Sequence, residues 1–130
     1  MRFPTSTKLS AYLLIATGIL HNTIGLIFGA GVLADIVRAG LFNTISPPNY
    51  DREAIFWFLF AGFAMMLWGA LLFHLTHVPK VFGISLLALC ILGVIMMPAS
   101  GFWLVIPQAI YMLLQPTKKA HLRTHSQPST

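Results

Sequence analysis

Charged residues are scarce in this sequence. Its 130 residues include eight Lys and Arg and three Asp and Glu, together 8% of the chain, where a soluble domain has about 25%. Apolar residues make up 57%, and so few charges do not solvate the surface of a globule this apolar. The composition excludes a soluble enzyme and a disordered protein, and it predicts a membrane protein.

Cysteine and catalytic motifs are also nearly absent. Cys90 is the single cysteine, which excludes an intrachain disulfide and a disulfide-stapled secreted domain. The sequence contains no glycine-rich phosphate loop, CxxC pair, HExxH or GxSxG. His74 and His77 have a ligand-like spacing, but no third ligand lies near them in the sequence. We therefore expect no metal, haem or other cofactor.

Stretches without charge predict the membrane spans. No Asp, Glu, Lys or Arg occurs for 26 residues after Lys8, for 26 after Glu53 and for 37 after Lys80. A spanning helix needs about 20 apolar residues, so the first two stretches hold one span each. The first exceeds the roughly 7–15 apolar residues of a signal peptide, and we expect it to be retained.

The third charge-free stretch is too long for one span. Pro98, Ser100 and Gly101 lie at its middle and are typical of a turn. We therefore expect an all-α integral membrane four-helix bundle with a long outer loop between its first and second spans. The predicted transmembrane domain is 9–114, with spans at 9–33, 54–75, 81–97 and 102–114.

Positive charge predicts the orientation. With four spans and an inner N-terminus, six Lys and Arg residues lie inside and two outside, as the positive-inside rule favours. Residues 1–8 and the flexible tail 115–130 are then cytoplasmic, at a cell inner (plasma) membrane. Lys118, Lys119 and Arg123 follow the last span, where anionic lipid attracts such a cluster. Nucleic-acid binding has no support beyond this charge.

Polar residues inside the first span are the most informative feature. His21 and Asn22 lie near its centre, where burial in lipid is costly without partners. Gly18, Gly25 and Gly29 share their helix face, and GxxxG spacing lets two helices approach closely. One interpretation is a packing seam with a hydrogen-bonded His–Asn pair. The other is a cavity in which His21 contacts a ligand or transfers a proton.

Two residues of the fourth span reach a similar depth. Gln108 and Tyr111 lie about 9 and 14 Å into that span at 1.5 Å per residue. Contacts of His21 with Tyr111, or of Asn22 with Gln108, are therefore geometrically allowed, and these four residues form the candidate pocket. Tyr111 equally suits a packing role with a satisfied hydroxyl.

The outer loop 35–52 is longer than a simple connection requires. Ala34–Leu41 is predicted to form a short helix at the interface, and Asp51 to cap the helix of the second span. The alternative is a charged mouth over an outward-facing cavity. Its residues are Asp51, Arg52, Glu53, Trp57 and Trp103. Tryptophans at this level are also typical of the aromatic belt.

A resemblance rests on short motifs along most of the chain. They are Gly40 to Thr44, Pro47 to Glu53, Phe56 to Phe58 and Met97 to Trp103, together with His21 in the first span. In these motifs the chain resembles a family of small four-span bacterial proteins of unknown function. The resemblance implies a bacterial inner membrane, and it implies neither an activity nor catalytic residues.

Three functional classes remain open at this point. The first is an accessory or binding protein with an intramembrane pocket for a lipophilic small molecule. The alternative is a membrane-embedded enzyme that uses His21 for proton transfer, since imidazole titrates near neutral pH. The third is an oligomeric transporter subunit, although no Asp or Glu lies within a span. Membrane lipids are expected partners, with a homo-oligomer or a larger membrane complex also allowed.

Overall fold

The computed structural model describes residues 6–115 and is all-α, which confirms the predicted class. That part of the chain holds five helices and no strand. The helices are α1 Ser6–Phe28, α2 Ala30–Arg38, α3 Tyr50–Leu72, α4 Lys80–Met96 and α5 Phe102–Leu114. The predicted flexible tail, with its lipid-attracting cluster, lies almost wholly outside the described residues.

The four long helices form two closely packed pairs, α1 with α3 and α4 with α5. Helix α1 packs most extensively against α3 and also contacts α5, while α4 packs against α5. The α1–α5 contact joins the two pairs, side chains of α3 and α4 also meet at Trp68 and Phe82, and the short α2 lies against α1 and α3. Helix α1 therefore contacts helices of both pairs.

Close packing is concentrated at the end of the bundle that holds the connection from α3 to α4. Ala11 and Leu14 of α1, Leu72 and Val78, and Met112 of α5 form one buried cluster. At the same end the Trp68 and Phe82 rings meet edge to face, with centroids 6.3 Å apart. The polar residues of α1 lie beyond this cluster, toward the other end.

Two helices are long and apolar enough to cross a membrane, Thr7–Phe28 and Tyr50–Leu72. Only 28% and 17% of their most apolar windows are buried inside the protein, whereas the core helix of a soluble protein is mostly buried. This combination is weak support for membrane association. Helices α4 and α5 are apolar but shorter.

The first predicted span is divided. Helix α1 ends at Phe28 and α2 begins at Ala30, so Gly29 interrupts the helix predicted for 9–33. The backbone hydrogen bonds Gly29 N to Gly25 O (2.8 Å) and Leu33 N to Gly29 O (2.9 Å) continue across the break. The short helix predicted at Ala34–Leu41 is accordingly found earlier, at Ala30–Arg38, directly after α1.

The start of α3 corrects a second expectation. Asn49 is the N-cap residue and Asp51 lies in the first turn, so the prediction that Asp51 caps the helix is wrong. The carboxylates of Asp51 and Glu53 still lie at the positive end of the helix dipole, which favours them there. The preceding loop turns sharply at Leu41 and Asn43, whose φ values are 65° and 53°.

Candidate functional site

His21 is held against α3. Its Nε2 donates a hydrogen bond to the backbone carbonyl oxygen of Phe58 at 3.0 Å. The imidazole also stacks on the Phe58 ring, with centroids 3.8 Å apart and planes 14° from parallel. Both contacts join α1 to one turn of α3, and they place the half-buried imidazole between the two helices.

Asn22 also faces α3 and is buried without a partner. Its side chain is 7% exposed, and neither its Nδ2 nor its Oδ1 has a hydrogen-bond partner in the described part of the chain. The amide lies directly over Gly62, where an added Cβ would collide with the Asn22 oxygen. A helix this close is possible only because Gly62 has no side chain.

Gln108 of α5 is linked to α1 through a hydroxyl. Its Nε2 donates to Thr17 Oγ1 at 2.5 Å, and the Thr17 hydroxyl donates to the Leu13 carbonyl at 2.9 Å. Seven residues further along α5, Gln115 Nε2 donates to Ser10 Oγ at 2.6 Å. The two links have the same spacing on both helices, as expected for antiparallel neighbours.

The structure does not gather the four candidate pocket residues into one pocket. His21 and Asn22 face α3, whereas Gln108 bonds to Thr17. Within residues 6–115, no hydrogen bond joins His21 to Tyr111 or Asn22 to Gln108; Tyr111 is half-buried in α5. The reason is that the His21 and Asn22 side chains both contact α3, whereas α1 meets Gln108 of α5 one helical turn earlier, at Thr17.

The three candidate packing glycines lie along the contact between α1 and α3. A Cβ at Gly18 would lie 2.7 Å from the Gly62 carbonyl oxygen, and one at Gly25 would lie 2.8 Å from Leu59 Cδ2. A Cβ at Gly29 would collide with the Ile55 side chain. Small residues thus bring the two backbones together over several turns, as in many membrane helix pairs.

A groove opens beside this contact at the end where α1 meets α2 and α3 begins. This α1–α3 groove has a volume of about 350 Å³, and its walls come from α1, α2 and α3. It is lined by Ile24, Gly25, Phe28, Gly29, Val32, Asp51, Ala54, Ile55 and Phe58. Asp51 is its one charged side chain, and the Phe58 ring on which His21 stacks is part of its wall.

The residues of the predicted mouth are distributed over separate places. Glu53 and Trp57 line a cavity of about 410 Å³ beneath the loop, while Asp51 lines the α1–α3 groove. The Arg52 side chain donates to the Thr44 carbonyl at 3.2 Å. The Trp103 indole donates to the Pro98 carbonyl at 2.8 Å. Trp103 is part of α5, whose backbone contacts α4 and α1, whereas the other four residues lie at the start of α3.

Several residues of these sites were not identified from the sequence. Thr17 was identifiable, because it lies four residues before His21 on nearly the same face of a helix. The sequence indicates the packing role of Gly62 more weakly: it lies seven residues before Gly69, so the two glycines share a helix face. Ile45 and Pro47, which line the loop cavity, have no such signal because the path of an irregular loop sets their position.

Metal-binding groups and cysteine nucleophiles are the remaining chemistry to consider among the described side chains. Within residues 6–115 no group of three or more His, Cys, Asp or Glu residues is placed to hold a metal ion. Cys90 is buried, which makes it a poor nucleophile. The α1–α3 groove and the cavity beneath the loop are each lined by apolar residues and one carboxylate, Asp51 and Glu53 respectively.

Residues 5–119 match a family of unknown function, DUF6463. This agrees with the uncharacterised family that the sequence motifs resemble, and the four-span and bacterial character of that family stays a prediction. No curated protein and no solved structure matches the chain.

Proposed function

We propose that this chain, which belongs to the DUF6463 family of unknown function, is an accessory or binding protein of the cell inner membrane. In this proposal it crosses the membrane four times, with both termini cytoplasmic, and holds a lipophilic small molecule in the α1–α3 groove. The observation that carries the binding site is the groove itself, which has apolar walls and one carboxylate at its edge.

The size and place of the groove support a small ligand. Its volume of about 350 Å³ lies in the usual range of small-molecule sites, about 300–1,000 Å³. Gly25 and Gly29 remove two side chains from one wall, and Phe28 and Phe58 supply aromatic surface. An apolar molecule placed there buries its surface against these rings without leaving any polar group of its own unpaired.

Membrane embedding has its own support. Large apolar side chains are exposed along the helices, among them Phe63, Leu67 and Ile95, which are 61%, 60% and 69% exposed. Lipid solvates such side chains, whereas water does not. Helix α4 is about 25 Å long at 1.5 Å per residue and approaches the hydrocarbon thickness of about 30 Å, whereas α5, about 20 Å long, is shorter than that thickness.

Photoaffinity labelling tests the binding site. The protein is reconstituted in lipid nanodiscs with hexadecanol that carries a diazirine group, irradiated, digested and mapped by mass spectrometry. We expect labelled peptides from residues 24–32 and 51–58. Ala54→Trp fills the groove and should reduce this labelling about tenfold, the effect of about 1.4 kcal/mol of lost affinity.

A matched variant controls for the added indole. Ala70 is exposed on the same helix and lies outside the residues that line the groove, so Ala70→Trp should be labelled like the unaltered protein. Equal labelling of Ala54→Trp and the unaltered protein would contradict the proposed site.

The enzyme alternative has less support. The hydrogen bond of His21 in the described chain goes to the Phe58 backbone carbonyl, so no acidic or nucleophilic side chain there is bonded to the imidazole. This contact joins two helices and gives the imidazole a structural role. The transporter alternative stays third, because the predicted spans contain no carboxylate for ion coupling.

A further inference from the structure

The cavity beneath the loop has the lining of a cation site. This loop cavity, of about 410 Å³, is lined by Ile45, Pro47, Glu53, Phe56 and Trp57. The rings of Phe56 and Trp57 meet edge to face, with centroids 5.4 Å apart and planes 76° from parallel. Two aromatic side chains and one carboxylate therefore line the same cavity.

The Glu53 carboxylate is available to a ligand. In residues 6–115 the one ion pair joins Arg38 to Asp35 at 3.0 Å, and the neighbouring Arg52 side chain is directed to the Thr44 carbonyl. No cation of the described chain therefore neutralises Glu53. A negative charge beside aromatic faces attracts a cation twice, through the carboxylate and through the ring quadrupoles.

We propose that the loop cavity binds a quaternary ammonium group carried on an apolar chain. A primary ammonium has three N–H donors that need acceptors, and the lining side chains offer only the Glu53 carboxylate. A quaternary ammonium has no N–H, so apolar and aromatic walls surround it without leaving a donor unpaired. The exposed apolar surface around Phe56 and Trp57 (42% and 57% exposed) accommodates the attached chain.

This site is separate from the α1–α3 groove. Glu53, Phe56 and Trp57 lie on one face of α3, and Asp51, Ala54 and Phe58 lie on nearly the opposite face, because each residue turns a helix by about 100°. The ammonium site therefore does not rest on the proposed function, and either proposal is able to fail alone.

Titration observed on the Trp57 indole tests the proposal. The protein, labelled with ¹⁵N, is placed in nanodiscs of phosphatidylglycerol, a lipid without an ammonium group, and its Trp57 indole signal is assigned by its loss in Trp57→Phe. Decyltrimethylammonium should shift this signal saturably. Decanol, which has the same chain without the charge, should leave the signal in place, and decylammonium should bind several-fold more weakly.

Two variants that each remove one negative charge distinguish binding in the loop cavity from general electrostatic attraction of the cation to the protein surface. Glu53→Gln should weaken binding of decyltrimethylammonium by up to about fivefold, as expected for the loss of an exposed ion pair while the cation–π contact is kept. Asp35→Asn, at a position on α2 that lines neither the loop cavity nor the α1–α3 groove, should change it less than twofold. Equal affinity of Glu53→Gln and the unaltered protein, or tighter binding of decylammonium, would overturn the proposal.

Discussion

Gly62 and Asn22 show how single residues set the distance between α1 and α3. The Asn22 amide lies over Gly62, so any side chain at position 62 must displace it. Overpacking of this kind costs about 1–3 kcal/mol. We expect Gly62→Ala to lower the thermal unfolding midpoint of the protein in detergent.

The control for this prediction is another helical glycine. A Cβ at Gly31 meets no atom within 4 Å, and alanine favours a helix over glycine by about 1 kcal/mol. Gly31→Ala should therefore leave the midpoint unchanged or raise it. Combining Gly62→Ala with Asn22→Ala should restore part of the loss, and no restoration would mean that the Asn22 contact is not its cause.

His21 makes a hydrogen bond and a ring-stacking contact with Phe58, and two substitutions measure their contributions separately. His21→Ala removes both the hydrogen bond to the Phe58 carbonyl and the ring stacking, with an expected loss of about 1–2 kcal/mol. His21→Phe keeps the stacking, and the Phe58 carbonyl keeps its own helical N–H partner. It should recover about half of the loss in denaturant unfolding, whereas equal losses for both variants would contradict the stacking contribution.

At the scale of elements, two amide–hydroxyl links attach α5 to α1. They join Gln108 to Thr17 and Gln115 to Ser10. Hydrogen bonds between membrane helices contribute about 0.6 kcal/mol on average and up to about 1.7. A double-mutant cycle with Thr17→Val and Gln108→Leu should therefore give a coupling free energy in this range, measured by unfolding in detergent.

Thr23 provides the matched control for the cycle. Its hydroxyl donates to the Ile19 carbonyl of its own helix at 2.9 Å, as Thr17 does to Leu13, but no contact with Gln108 accompanies it. Thr23→Val and Gln108→Leu should be additive. Additivity for Thr17 as well would show that the link between α1 and α5 contributes nothing.

For the whole molecule, the testable property is topology. Four spans place the loop between α2 and α3 outside and the end of α5 inside. Alkaline phosphatase inserted after Phe42, a 92% exposed position, should be active, because this enzyme folds only outside the cytoplasm. Green fluorescent protein fused after Gln115 should fluoresce, and phosphatase activity at both positions would contradict the four-span arrangement.

Much of the helix content was predictable because it depends on local properties. Scarce charge marks the apolar segments, and the turn residues after Met97 separate α4 from α5. Other boundaries were less predictable. Gly29 ends α1 within an apolar stretch, and Asn49 takes the N-cap position expected of Asp51. Such ends depend on how the chain packs after the helix forms.

The sequence by itself determined that this chain is α-helical and apolar, and it identified His21, Asn22 and Gln108 as polar residues that require an explanation within apolar helices. Only the tertiary structure decided which helix each of them meets: Phe58 and Gly62 on α3 for the first two, Thr17 on α1 for the third. The physical reason is that periodicity fixes which residues share a face, whereas apolar residues are spread around all sides of α1 and α3. Hydrophobicity therefore does not select the packed face, and the close fit of glycines and polar side chains between distant segments does.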